Sequence, residues 1–303
     1  MTVPMTPSPG THSLTRVYAG ALFSVGVWGA SFIATKIALR DVHPLTVMWL
    51  RFGIGVAVLA AAVAARGEFV VPGRKELRYF VGLGALGITL HQWLQATGLV
   101  TARASTTAWI ITATPLTMAV VGWIVLGERL RRRHVVGILL GALGVLLVVS
   151  RGNWASLVEG SFGSTGDLLV TVSTVTWALF SVYSRRGLHL YRSAPMMLYV
   201  MGSGWLLGTI PWVLEGGPAE IGHLSSGAWA AIAFLGVFCS GLAYIYWYDA
   251  LRALPAAKVG SLLYLEPLVT MVVAAALLGE AVVLSAVLGG AVILLGVRVT
   301  VQR

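Results

Sequence analysis

From Ala281 to Val297 the chain carries no charged side chain, and none from Phe52 to Ala65. About 20 apolar residues in a helix span the hydrocarbon core of a bilayer. In hydrocarbon each backbone polar group must be bonded within the protein, so such runs are read as helices. Length alone, 303 residues, suggests two soluble domains. Composition overrides it: 57% of residues are hydrophobic and 11% charged, against about 45–50% and about 25% in soluble domains. The fold expected is all-α, integral to a membrane.

Turn signals and charge divide the chain into ten expected spans, at 18–39, 44–65, 77–98, 104–126, 134–150, 166–184, 194–214, 226–250, 256–278 and 281–298. The separators include Asp41-Val42-His43-Pro44, Pro72-Gly73-Arg74-Lys75, Gly216-Gly217-Pro218 and Leu254-Pro255. Ten crossings put sixteen Lys and Arg on the side of both termini. Only Arg40, Arg103 and Arg151 fall on the other. Positive loops stay cytoplasmic, so both termini are expected in the cytoplasm. The net charge of +10 therefore reports topology, and no nucleic-acid partner is expected. The lone Cys239 rules out an internal disulfide framework and a multi-cysteine metal site. Residues 1–15 read as a polar cytoplasmic tail, not a signal peptide.

One phrase is written twice. TPLTMAVVGWIVLGE (114–128) and EPLVTMVVAAALLGE (266–280) agree at Pro, Leu, Val, Val, Leu, Gly and Glu. At the same offset Gly137 matches Gly289. Near the start, VWGASFIATK (27–36) lies over TWALFSVYSR (176–185), pairing Trp28 with Trp177 and Lys36 with Arg185. Two five-helix repeats follow, 16–150 and 164–303. Because five is odd, equivalent helices run in opposite directions. Such inverted repeats are typical of secondary transporters, with the substrate site at mid-membrane between the halves.

Together these residues resemble the EamA-type transporters of the drug/metabolite transporter superfamily, over nearly the whole chain. The resemblance is carried by Trp28, Gly29, Phe32 and Lys36, by Arg51-Phe52, and by Pro115, Leu116, Leu126, Gly127 and Glu128. It continues in Glu266, Pro267, Leu268, Leu278, Gly279 and Glu280. Aromatic residues and a membrane histidine make the chain most similar to the YddG-type aromatic amino-acid exporters. The resemblance implies a bacterial inner-membrane carrier working by alternating access, and makes Glu128 and Glu280 framework residues.

Polar groups in hydrocarbon are costly and usually face a bundle interior. His91, Gln92 and Gln95 cluster in the third span, with His91 and Gln95 on one face. His91 reads either as a cavity-lining group or as one bonded to a neighbouring helix. Trp28 and Trp177 fall at mid-helix, with Ser31, Thr35 and Ser181 following them. Trp109, Tyr244, Tyr248 and Tyr264 complete an expected aromatic wall. Such rings offer flat apolar faces with one donor each and can hold an ammonium group. Trp154, Trp212 and Trp229 sit near helix ends and read as an interfacial belt. Lys36 and Arg51 read as snorkelling cations.

Glu266 is expected about ten residues into the ninth span, before Pro267, with Thr114-Pro115 as its counterpart. A carboxylate there is either a proton-coupling group or a partner for the bend. Proline and glycine in the fourth and ninth spans are expected to supply bends.

The substrate expected is an aromatic or other neutral amino acid. The alternative is a proton-coupled exporter of drugs or other small metabolites. A membrane enzyme is disfavoured, because no catalytic motif appears. The G-x-G-x-x-G at 82–87 has no preceding strand and reads as packing glycine. Neither a filter nor a charged ring favours a channel. The expected partners are a small-molecule substrate and the lipid bilayer. No cofactor or metal is implied, and the sequence leaves the oligomeric state open, with a monomer compatible.

Overall fold

The computed structural model describes residues 14–126, 132–150, 153, 163–254, 259 and 262–301. The positions Gly127, Glu128, Trp154 and Lys258, the tail at 1–13 and the side chain of Pro115 lie outside them. No strand occurs among the described residues.

The main helices are α1 (Leu14–Ala38), α2 (Pro44–Ala65), α3 (Arg74–Gly84), α4 (His91–Thr101), α5 (Ala104–Thr112), α6 (Thr114–Leu126) and α7 (Arg132–Ser150). They continue as α8 (Thr165–Leu190), α9 (Ser193–Leu214), α10 (Ser226–Phe234), α11 (Ala243–Ala253), α12 (Glu266–Leu278) and α13 (Leu284–Val301). Six helical stretches among the described residues are long and apolar enough to cross a membrane, or seven if α5 and α6 form one bent span.

Helix starts follow local chemistry. Pro44 occupies the first turn of α2, where its missing N–H costs nothing. Ser164 and Asp167 form a reciprocal capping box on α8. Gly279 ends α12 with φ 65°, a left-handed conformation that favours glycine.

The doubled phrase folds as two helices of one kind. α6 and α12 are each 13 residues long, and each carries its proline in the first turn. α5 stops at Thr112, and the axis turns by 41° before α6 continues. A 3-10 turn, Leu263–Leu265, precedes α12. This corrects the placing of Glu266 deep inside a continuous helix 256–278: it opens α12. Proline is tolerated at that position, and a carboxylate there faces the positive end of the helix.

Connectors gather at two ends. At one, Ser225 N–H donates to Asp41 at 2.8 Å and His43 N–H to Glu220 at 3.0 Å. The hydrogen bonds from Ser225 hold the exposed Asp41 carboxyl below its ordinary range. At the other end, Arg192 pairs with Glu68 at 2.9 Å and Arg66 with Asp249 at 3.4 Å.

The packing exchanges partners between the two halves of the chain. α1 packs against α11 and α12, while α8 packs against α4 and α6. α2 packs on α9 and α7 on α13. The α7–α13 contact is backbone to backbone, since a Cβ on Gly144 would stand 2.7 Å from the Gly289 carbonyl. Small residues permit such approach where lipid supplies no hydrophobic drive. Outward faces remain apolar, with Leu206, Ile210 and Val272 exposed.

Candidate functional site

Two π-helical segments shape the centre. Ala85–Leu90 joins α3 to α4, and Leu235–Leu242 joins α10 to α11. Their starts differ by 150 residues, close to the offset of the doubled phrase. Both exits show the wide hydrogen bond: His91 N–H donates to Leu86 O, and Ala243 N–H to Phe238 O. A π turn adds a residue and rotates the helix beyond it. His91 and Tyr244 stand at these exits. Of the glycines of 82–87, Gly84 lies against the α9 backbone and Gly87 against Phe180, whereas Gly82 has nothing within 4 Å of its Cβ position, so the packing reading fails there.

Trp28 faces the second exit. Its indole N–H donates to Cys239 O at 3.0 Å. Its ring lies edge-on to Tyr244, centroids 5.7 Å apart at 74°, and 5.2 Å from Trp247. Tyr244 and Tyr248 are buried with centroids 6.2 Å apart. Trp177 faces the first exit, 5.0 Å from the His91 ring. His91 is buried, and its Nδ1 lies 2.9 Å from Ser173 O. A carbonyl only accepts, so Nδ1 carries the proton. Each mid-helix tryptophan thus packs against a side chain at a π exit of the other half.

The other expected site residues divide. Gln92 is buried and Gln95 partly buried on α4. Ser31 is turned back, its hydroxyl donating to Trp28 O at 2.7 Å. Ser181 lies one turn beyond Trp177 on α8, partly buried. Trp109 and Tyr264 belong to a separate cluster with Ile293 and Ala286. The Trp109 ring packs against Gly290, and its N–H has no partner among the described residues. They do not join Trp28, Trp177, Tyr244 and Tyr248, which share one cluster.

Among the described residues nothing donates to the carboxylate of Glu266. Its backbone carbonyl instead accepts Thr270 Oγ1 at 2.9 Å. That hydroxyl also lies 2.7 Å from Gly29 O. A Cβ on Gly29 would meet Glu266 O at 2.9 Å, so glycine permits the α1–α12 crossing.

Three readings from position alone need correction. Arg51 does not snorkel: it is 7% exposed, and its Nε donates to Ser240 Oγ at 3.2 Å. Trp212 is no belt residue, since it stacks on Trp49 at 3.8 Å and donates to Thr46. Lys36 turns to the end of α4, donating to Leu99 O at 3.2 Å and Ala102 O at 2.5 Å. A cation there complements the negative end of the helix. The price of an unpaired charge in hydrocarbon was the available sign that Arg51 points inward.

Glu280 pairs with Arg103 at 3.9 Å. It caps α5 and not the helix that follows it, accepting Ala104 N–H at 2.9 Å and Ser105 N–H at 3.2 Å. A cavity of 280 Å³ opens beside it, lined by Lys36, Leu39, Arg40, Leu99, Leu278 and Glu280 among others. None of the expected site residues lines it. No group of three His, Cys, Asp or Glu suited to a metal occurs among the described residues.

Comparison with known proteins matches a model described as the EamA-like transporter family to residues 15–150 and again to 164–302. The chain is 29% identical to the uncharacterized transporter YyaM of Bacillus subtilis, over 82% of this chain and 81% of that one. It is 28% identical to a probable amino-acid metabolite efflux pump of Salmonella typhimurium, over 86% of each. It is 24% identical to a probable terminal-alkyne amino-acid exporter of Streptantibioticus cattleyicolor, over 88% and 87%. A solved crystal structure has the same fold, with a TM-score of 0.63 at 23% identity over 94% of this chain and 97% of the other.

Proposed function

The chain belongs to the EamA-like transporter family, a multi-pass membrane transporter, and from that premise we propose that it exports aromatic and other neutral amino acids. The observation that carries the amino-acid reading is the ring cluster of Trp28, Tyr244 and Tyr248 beside the His91–Trp177 pair. It offers apolar faces with few, fixed polar groups, as small-molecule sites do. The relatives named as an amino-acid metabolite efflux pump and an amino-acid exporter support the same cargo.

The mechanism proposed is alternating access by ten spans in two inverted five-helix repeats, with both termini cytoplasmic. Three observations support it. The family model matches each half separately. The π segments recur near the repeat offset. The contacts of α1 with α11 and α12 are mirrored by those of α8 with α4 and α6. Half-helices meeting at mid-membrane are common at transporter sites, and α5–α6 is a broken span of this kind.

The test is a panel of amino acids and drug-like amines in proteoliposomes, with and without a pH gradient. Saturable exchange of phenylalanine, methionine or threonine above empty liposomes is expected. Flux of the amines alone would replace this reading with the drug-exporter alternative. Cysteines introduced at Val282 and Phe69 test the topology: an impermeant maleimide should reach the first from outside and the second from the cytoplasm.

A further inference from the structure

Among the described residues, the buried Arg51 of α2 has no counter-ion. It lies in α2, 7% exposed, its Cζ 5.0 Å from the centroid of the Phe52 ring, in a span where a cation without an anion is costly. Its guanidinium has five N–H donors. Among the described residues one is used, Nε to Ser240 Oγ, and the terminal amines meet no acceptor. The four ion pairs described are His43–Glu215, Arg66–Asp249, Arg103–Glu280 and Arg192–Glu68, and Arg51 is in none of them.

Its place is central to the ring clusters. Ser240 adjoins Cys239, whose carbonyl holds the Trp28 indole. Ser240 lies in the π segment that runs into α11 at Tyr244, and α2 packs both on that segment and on α4, which begins at His91. Those two residues stand at the exits of the two π segments. The helix that carries the guanidinium therefore packs beside both halves of the proposed site, and no described acid faces it.

We propose that Arg51 binds the carboxylate of the transported substrate. The site takes an organic acid with an apolar or aromatic body. A guanidinium fork matches a carboxylate with two parallel hydrogen bonds, stronger than neutral ones. The substrate thus provides the anion that the protein does not, and leaves with it. Ser240 fixes the fork from its Nε side, keeping the terminal donors free. The Trp28 and Tyr244 rings cover the apolar body. The amino-acid form of the substrate rests on the function proposed above, whereas recognition of the carboxylate does not.

Competition with labelled phenylalanine exchange in proteoliposomes of the full chain tests this, using phenylalanine, phenylalaninamide and 3-phenylpropionate. The amide lacks the negative charge and keeps the ring and ammonium. Wild type is expected to prefer acid to amide by about tenfold or more. In Arg51→Gln the acid should weaken about tenfold while the amide changes less than about threefold, so the preference collapses toward one. Arg51→Lys, with charge but no fork, should fall between. Equal weakening of acid and amide in Arg51→Gln would overturn the proposal. So would a wild type with no preference, which decides the matter even if the variants fail to fold. Should wild type exchange no amino acid, thermal stabilisation by 3-phenylpropionate is read instead. Its loss in Arg51→Gln or Arg51→Lys would keep the carboxylate site and reject only the amino-acid cargo. Its absence from wild type would reject both.

Discussion

Ser105 donates its hydroxyl to Glu280 at 2.7 Å, tying the start of α5 to the end of α12. Two α5 amides converge on the same carboxylate, so Glu280 is an N-cap supplied by the opposite half of the chain. Burial raises its pKa, but the Ser105 hydroxyl, the amides of Ala104 and Ser105 and the Arg103 charge together outweigh it. The net value lies below the ordinary carboxylate range.

A pH dependence follows. A depressed folded pKa contributes stability above the unfolded value, about 4.3, that fades as pH falls through the folded one. Glu280→Gln should lower stability by about 1–2 kcal/mol at neutral pH. The gap from wild type should narrow as pH falls below the unfolded value. Thermal unfolding in detergent across pH 3–7 checks this. A gap independent of pH would mean that the carboxylate charge is not what binds α5.

Gly144 and Gly82 should respond oppositely to a side chain. A Cβ on Gly144 would stand 2.7 Å from Gly289 O, with Ile293 equally close, so Gly144→Val should cost about 1–3 kcal/mol or more. Gly82 has nothing within 4 Å of its Cβ position. Gly82→Ala should stabilise by about 0.5–1 kcal/mol through the unfolded chain. Thermal unfolding of the two variants should move in opposite directions.

His91→Ala separates function from folding. Ser173 O keeps a donor after the imidazole is lost, because Thr176 Oγ1 bonds it at 2.8 Å. No buried carbonyl is orphaned, so the stability loss should stay near that of the lost ring packing on Trp177, about 1–2 kcal/mol. Phenylalanine exchange should fall about tenfold or more. Normal exchange in a folded His91→Ala would remove His91 from the site.

Cys239 gives a simple report on the closed core. Its Sγ donates to Val27 O at 3.2 Å, and the residue is buried. A thiol-reactive maleimide should label the native protein at least about tenfold more slowly than protein unfolded in dodecyl sulfate. Equal rates would show that the contact between α1 and the Leu235–Leu242 segment opens freely.

Much was legible in the residues. Charge-free runs gave the membrane helices, because hydrocarbon leaves the backbone no other way to bond. The doubled phrase marked two related stretches, each with a proline, but not that an α-helix starts just before each proline. Trp28, Tyr244, His91 and Trp177 could be picked out as uncommon side chains at depth, and the structure brings each pair together. Trp109 satisfied the same criterion and went elsewhere, against Gly290.

What the residues alone determined was how the chain breaks into helices and that its halves repeat. Both are local matters of apolar length, turn residues and self-similarity. The tertiary structure decided which way each helix faces. It turned Arg51 inward to Ser240, Trp212 onto Trp49 and Glu280 onto α5, and it widened two helices into π segments at His91 and Tyr244. The physical reason is the solvent. In water a helix shows its buried face by an apolar stripe. In lipid both faces are apolar, so orientation is carried by packing and a few polar contacts between residues far apart in sequence.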